Sequence, residues 1–258
     1  MKAVFIADAH LRGAESAGYQ TLVLFLNRLR GGAGMSDGPD GERTEFGQAG
    51  NGFTPERLTI DSLFIAGDFF DFWFARKGKI YPGFTTAIEC LVRLKNQGVA
   101  ISFCEGNHDF FLRDYFSVSL GMNVIPDSVV LDLDGLRVFL SHGDTVDVEN
   151  RSYLRLRRLL RSGSFYRLQR RLPLSMLWRL ARLSAEVSKG LTAGAQDALV
   201  KKMEAFSMGK FEEGCDAVIL GHCHKPLLKE FVIGGRRKIF ATLGDWIVHY
   251  SYLHYDGG

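Results

Sequence analysis

The chain has 258 residues, 46% hydrophobic and 24% charged, with a formal net charge of +3. That length suits one large domain, or one domain with a sizeable insertion, and needs no disulfides or structural zinc to hold a core. The balance excludes disordered, collagen-like and disulfide-scaffold proteins, and the small total charge by itself points to no nucleic-acid partner.

Ala3 to Ala7 is a short apolar run that ends at Asp8 and His10, as expected of a buried strand delivering polar side chains from its carboxyl end. Tyr19 to Leu29 is apolar at helical spacing (Leu22, Phe25, Leu26, Leu29) and predicts an amphipathic helix. Residues 31–57 hold eight glycines and two prolines and read as a long flexible loop. Ser62 to Ala66 predicts a second strand, ending at Gly67-Asp68. Thr85 to Lys95 predicts a helix stopped near Gly98. Val99 to Cys104 predicts a strand ending at Glu105-Gly106-Asn107-His108-Asp109. Val129–Leu133 and Leu136–Ser141 predict a hairpin around Asp134-Gly135, its second arm ending at His142-Gly143-Asp144. Ala217–Leu220 precedes Gly221-His222-Cys223-His224, and a second hairpin joins Phe231–Ile233 to Lys238–Thr242. Early alternation of strand and helix followed by hairpins predicts an α/β fold with two mixed sheets face to face and helices outside.

Five times an apolar strand is followed by a turn bearing His, Asp or Asn, and five of the seven histidines fall in these turns. One such histidine is most simply a satisfied loop residue. Five clusters, each at a strand's carboxyl end, point to a metal site. Carboxylate, imidazole and amide oxygen without thiolate suit Mn²⁺, Fe²⁺ or Zn²⁺ in a hydrolytic rather than a structural role. The alternation of Asp8-x-His10 and His222-x-His224 lets neighbouring residues reach different ions, and a pair of ions can activate water and stabilise a phosphoryl displacement. By the same alternation Cys223 should point away from the site.

These clusters resemble the calcineurin-like metallophosphoesterase superfamily, whose pattern runs DxH, GDxxD, GNHD/E, HG, GHxH, and the resemblance spans nearly the whole chain. It implies a four-layer α/β/β/α sandwich holding two divalent metal ions, Mn²⁺ ahead of Fe²⁺ and Zn²⁺. It implies Asp8, His10, Asp68 and His224 as ligands of one ion, and Asp68, Asn107, His142 and His222 as ligands of the other. It further implies His108 as the catalytic histidine and Asp71 as the acid that orients it. The segment from Gly67 to Phe74 (GDFFDFWF), the HGD at His142 and the closing Gly244-Asp245-Trp246 are similar to the UDP-2,3-diacylglucosamine pyrophosphatase branch. That branch converts UDP-2,3-diacylglucosamine to lipid X (2,3-diacylglucosamine 1-phosphate) and UMP in lipid A synthesis. Its best-known members carry Arg in a GNRD motif where this chain has His108. A phosphodiesterase acting on another nucleotide, nucleic-acid or lipid ester is the alternative, and a non-catalytic scaffold the remote one.

Ten arginines and no acid lie between Arg151 and Arg182, interleaved with leucines and aromatics. Without that segment the chain carries 22 basic against 29 acidic side chains, so +3 is a cancellation between an acidic body and one basic, greasy insertion. The resemblance implies a helical lid here, at about residues 148–208 of a single domain 1–258. Pro173 should split its helices. Arg151, Arg155, Arg157 and Arg158 are the expected substrate-binding arginines, facing a diphosphate or anionic headgroups. Basic amphipathic helices suit a membrane surface, and Trp178 suits either the headgroup level or the core. The aromatics are no denser here than elsewhere, so no nucleic-acid partner is expected. Four cysteines without CxxC pairing, a first apolar run cut short by Asp8 and the lack of a membrane-length apolar stretch predict a cytoplasmic protein, peripheral on the inner membrane.

Overall fold

The computed structural model describes residues 1–31, 45–48, 58–187 and 193–257. In chain order the elements are β1 (Ala3–Ile6), α1 (Ala17–Arg28), β2 (Leu29–Gly31), β3 (Glu45–Gln48), β4 (Leu58–Ile60), β5 (Ser62–Ala66) and α2 (Thr85–Asn96). There follow β6 (Ala100–Cys104), α3 (Arg113–Phe116), β7 (Asn123–Ile125), β8 (Ser128–Leu133) and β9 (Leu136–Ser141). The helices α4 (Arg151–Leu160), α5 (Gly163–Gln169), α6 (Leu174–Val187) and α7 (Ala193–Glu212) come next, then β10 (Ala217–Leu220), β11 (Pro226–Ile233), β12 (Arg236–Leu243) and β13 (Ser251–Tyr255).

One large sheet runs β3-β13-β1-β5-β6-β7 and a second β11-β12-β10-β9-β8, while β2 and β4 pair in a small two-stranded sheet. In the first, β1, β5, β6 and β7 are parallel, with Ile6 beside Ile65 and Ala66 beside Cys104. In the second, β9, β10 and β12 are parallel, with Ser141 beside Leu220 and Leu220 beside Thr242. These registers bring the carboxyl ends of β1, β5 and β6 level with one another, and those of β9 and β10 likewise.

The central strands β1, β5 and β10 are buried along their whole length because both of their faces are covered. Along β1, Ala3 and Phe5 join Val138, Leu140, Ala217 and Ile219 between the sheets, while Val4 and Ile6 pack outward with Leu22, Phe25 and Leu91 of α1 and α2. On the far side, Phe139, Val218, Leu220 and Phe240 pack against Val200, Met203 and Phe211. The four-layer α/β/β/α order expected from the sequence is therefore present.

Three expectations need correction. Within the stretch read as one flexible loop, Glu45–Gln48 is a strand paired antiparallel with β13. No apolar run marks it, because an edge strand of this kind is fixed by its partner's free edge. The expected flexibility of 32–44 and 49–57 lies outside the described residues. The arginine-rich insertion has three helices rather than two: besides the break at Pro173, Ser162 starts α5 by accepting from the Phe165 amide at 3.1 Å. Finally, most of α7 falls inside the expected lid boundary, yet it is the fourth layer of the sandwich.

Candidate metal centre

The five turns meet at one end of the sandwich, because each follows a parallel strand of one sheet or the other. Asp8 and Asp68 are almost wholly buried, at 0% and 1% exposed. Each spends one oxygen on a backbone amide: Asp8 Oδ2 accepts from His222 at 2.8 Å, and Asp68 Oδ1 from His108 at 2.8 Å. The other oxygens face imidazoles. Asp8 Oδ1 lies 3.5 Å from His224 Nε2 and 3.8 Å from His10 Nε2. Asp68 Oδ2 lies 3.6 Å from His10 Nε2 and 3.4 Å from His142 Nε2. His142 Nε2 also meets Asn107 Oδ1 at 3.0 Å.

Tight backbone geometry makes this convergence possible. Asp8, His10, Asp68, His222 and His224 all sit at positive φ, between 43° and 67°, where non-glycine residues are strained. A Cβ at Gly106 would stand 2.1 Å from Asp68 Oδ1 and 2.3 Å from its backbone nitrogen, so only glycine lets this turn approach Asp68.

The donor set fits divalent cations. Asp8, His10 and His224 form one group, and Asp68, His142 and His222 another, the ligand atoms of each lying within 4.8 Å of one another. A third group joins His10, Asp68 and His108, so Asp68 stands in two groups. Asp8 Oδ1 and His10 Nε2 are buried without a hydrogen-bond partner, an arrangement that is costly unless a ligand completes it. The protonation pattern agrees. Burial would push His10 down, but Asp71, Asp8 and Asp68 outweigh it and raise its pKa to about 10. His142 is likewise buried, and Asp68 above all raises it to about 10. Burial would raise Asp68, yet His142, His108 and His10 hold it well below the usual carboxylate range. Burial and the charge of His142 push His222 down to about 4. Without cations, protons on His10 and His142 offset the carboxylates.

Other groups orient these side chains. His142 Nδ1 donates to the Ala66 carbonyl at 2.9 Å, leaving Nε2 toward the cluster. His224 Nδ1 stands 3.5 Å from Asp245, whose carboxylate also accepts the amides of Ile247, Val248 and His249. Asp109, fully buried, accepts the amides of Asp68, Phe69, Phe70 and Gly106 and so ties two of the turns together. Burial and the nearby Asp68 raise Asp109 to about 7.

Asp71 meets His108 more closely through its backbone carbonyl than through its carboxylate. Its carboxylate contacts His10 Nδ1 at 3.3 Å and Arg12 Nε at 3.0 Å, and is 3.8 Å from His108 Nδ1. His108 Nδ1 instead meets the Asp71 backbone carbonyl at 3.0 Å. The stronger claim of Arg12 and His10 on the carboxylate explains the exchange. Burial would raise Asp71, but these neighbours keep its pKa low. Arg12, Asp109 and Asp245 were assigned no role from sequence. Cys223 is buried in the core with α7, pointing away from the cluster as expected.

The insertion lies along the rim of this centre. Arg76 donates to the carbonyls of Gln169 and Leu172, and Trp178 Nε1 to the Phe74 carbonyl at 3.1 Å. Trp178 thus faces the core, where its ring also meets Tyr81. Arg151, Arg155 and Arg158 are exposed on α4, whereas Arg157 is engaged by Asp144 and Asp127. A cleft of about 770 Å³ between α4, α5 and the turns after β6 and β7 is lined by Glu105, Phe111, Arg113, Arg158 and Tyr166 among others.

Adjoining ligand groups, two of which share Asp68, at the strand ends of a two-sheet sandwich are the arrangement of a metal-dependent hydrolase, and the family match makes it a phosphoesterase. Residues 1–226 match the model of the calcineurin-like phosphoesterase family, and the chain belongs to that family. It is 30% identical to the UDP-2,3-diacylglucosamine hydrolase of Aeromonas salmonicida (strain A449), over 98% of this chain and 89% of the relative. The enzyme of that name from Edwardsiella ictaluri is 29% identical over 99% and 89%. That from Nitrosococcus oceani is 32% identical over 72% of this chain and 74% of its own. Among the described residues no helix is long and apolar enough to cross a membrane.

Proposed function

We propose that the chain hydrolyses UDP-2,3-diacylglucosamine to UMP and 2,3-diacylglucosamine 1-phosphate, using two divalent ions, with Mn²⁺ the first choice, at the inner-membrane surface. The observation that carries this reading is the convergence of every expected ligand in a chain alike, over nearly its full length, to hydrolases named for that substrate. Asp8, His10, Asp68 and His224 would hold one ion, and Asp68, Asn107, His142 and His222 the other. When bound, such ions supply Lewis-acid neutralisation of a diphosphate and lower the pKa of water.

The chain's own groups do the rest. Water adds to one phosphorus while the bond from that phosphorus to the bridging oxygen breaks. His108 is 28% exposed at the centre's edge. With Nδ1–H donated to the Asp71 carbonyl, its Nε2 can give a proton to the departing oxygen only from the imidazolium form. The Asp71 carboxylate keeps His10 and Arg12 in place. Exposed Arg151, Arg155 and Arg158 suit the diphosphate or anionic headgroups, and exposed Leu156, Leu159, Leu168, Met176 and Leu180 suit acyl chains or a lipid surface. Arg157, already paired, serves the lid's attachment instead.

The test is product identification with the Mn²⁺-loaded protein. UMP and the acylated sugar phosphate are expected from UDP-2,3-diacylglucosamine, with far slower release of UMP from the non-acylated UDP-sugar. Equal turnover of both, or none of the acylated one, would overturn the substrate assignment.

A further inference from the structure

One face of α4 is fastened to the turns that carry Asn107 and His142. Residues 153, 157 and 161 are four apart and so stack along one helical face. Tyr153 donates its hydroxyl to Asp144 Oδ2 at 2.7 Å, and Arg157 donates from Nε to the same oxygen at 2.5 Å. Arg161, just past the end of α4, donates from Nη2 to the Gly106 carbonyl at 2.5 Å and from Nη1 to the Pro126 carbonyl at 2.8 Å. Asp144 is two residues after His142, and Gly106 immediately precedes Asn107. His142 Nε2 and Asn107 Oδ1 are the pair that meets at 3.0 Å.

These bonds are shielded from water. The side chains of Arg157 and Arg161 are 15% and 12% exposed, and that of Asp144 is 2% exposed. A charge-assisted bond in such surroundings holds its partner more firmly than one on the surface. Arg157 and Arg161 line the cleft beside α4 and α5, and their guanidinium groups are tied to these turns.

We propose that Tyr153, Arg157 and Arg161 are positioning residues through which α4 fixes the spacing of Asn107 and His142, so that the first lid helix sets the affinity of the second divalent ion. This rests on the ligand assignment proposed above. Outer groups that orient metal ligands change affinity by about 10–100-fold when removed.

The test is calorimetric titration with Mn²⁺ of the metal-free wild type and of Arg157→Gln, Arg161→Gln and Tyr153→Phe, each checked for folding by its melting curve. Tyr153→Phe removes a single hydroxyl and serves should either arginine variant fail to fold. Arg167→Gln is the control, since among the described residues the side chain of Arg167 bonds to Ser164 of its own helix and to no residue of the turns. The second equivalent should bind about 10–100-fold more weakly in the arginine variants and severalfold more weakly in Tyr153→Phe, with the first unchanged and Arg167→Gln like wild type. A second equivalent within about twofold of wild type, or equal weakening of both equivalents, would overturn the proposal. Uptake of fewer than two equivalents by the wild type itself would overturn the ligand assignment, and this inference with it.

Discussion

Asp109→Asn should loosen the centre without touching any expected ligand. The Asp109 oxygens accept four amides: Asp68 and Gly106 on Oδ1 at 2.9 and 3.0 Å, Phe69 and Phe70 on Oδ2 at 2.7 and 3.1 Å. Asparagine has the same shape but only one accepting oxygen, so whichever way its amide turns, two buried N–H groups lose their acceptor. Above the raised pKa of about 7, where Asp109 is ionised, each bond to the charged acceptor contributes about 1.5–3 kcal/mol and the loss is about 3–6 kcal/mol. The charge of Asp109 is itself unfavourable beside Asp68, and removing it returns part, leaving about 2–4 kcal/mol. For a chain of this length that lowers the melting temperature by about 5–15 °C. The assay is thermal unfolding of the metal-free protein, followed by Mn²⁺ content after reconstitution. Asp68 and Gly106 should no longer be held together, so the Mn²⁺ content should also fall. Melting within about 1 °C of wild type, with two Mn²⁺ retained, would refute the reasoning.

Asp68→Ala removes the carboxylate that stands in one cluster with His10 and His108 and in another with His142 and His222, and that the proposed centre shares between its two ions, so Mn²⁺ stoichiometry should drop below two and turnover to background; retention of both ions would contradict the shared role. His108→Ala should lower kcat by about 10²–10⁴-fold with Mn²⁺ content near normal, and metal loss would make His108 a ligand instead. His10 and His142 have pKa values raised to about 10, so Mn²⁺ uptake near pH 7.5 should release protons in a weakly buffered titration. The same shifts fix the sign of a stability trend. Their contribution is complete below the ordinary histidine pKa and lost as pH rises through about 10, so the metal-free protein should melt progressively lower over that range and the Mn²⁺ form should not.

The catalytic end of the molecule was legible because each expected ligand follows a strand whose carboxyl-terminal residues are buried. Runs such as Ala3–Ile6, Ser62–Ala66 and Ala217–Leu220 announce themselves, and Asp134-Gly135 and Gly234-Gly235 mark hairpin turns. What could not be read depends on distant partners. β3 exists because β13 offers it an edge, and nothing in the glycine-rich stretch around it signals a strand. Asp245 supports His224 from across a hairpin, and Arg12 competes for an acid that the family resemblance assigned to His108. The arginines of the insertion looked alike in sequence, yet Arg157 is half-buried in ion pairs while Arg151, Arg155 and Arg158 are exposed. Burial, which composition does not reveal, separates the lid's fastenings from its free charges.

The central claim, a two-ion centre assembled from five strand ends around Asp68, is tested most directly by anomalous diffraction from crystals soaked in Mn²⁺. Two peaks are expected, one among Asp8, His10 and His224, the other among Asn107, His142 and His222, with Asp68 between them. A single peak, or a pair that leaves Asp68 uncoordinated, would contradict it.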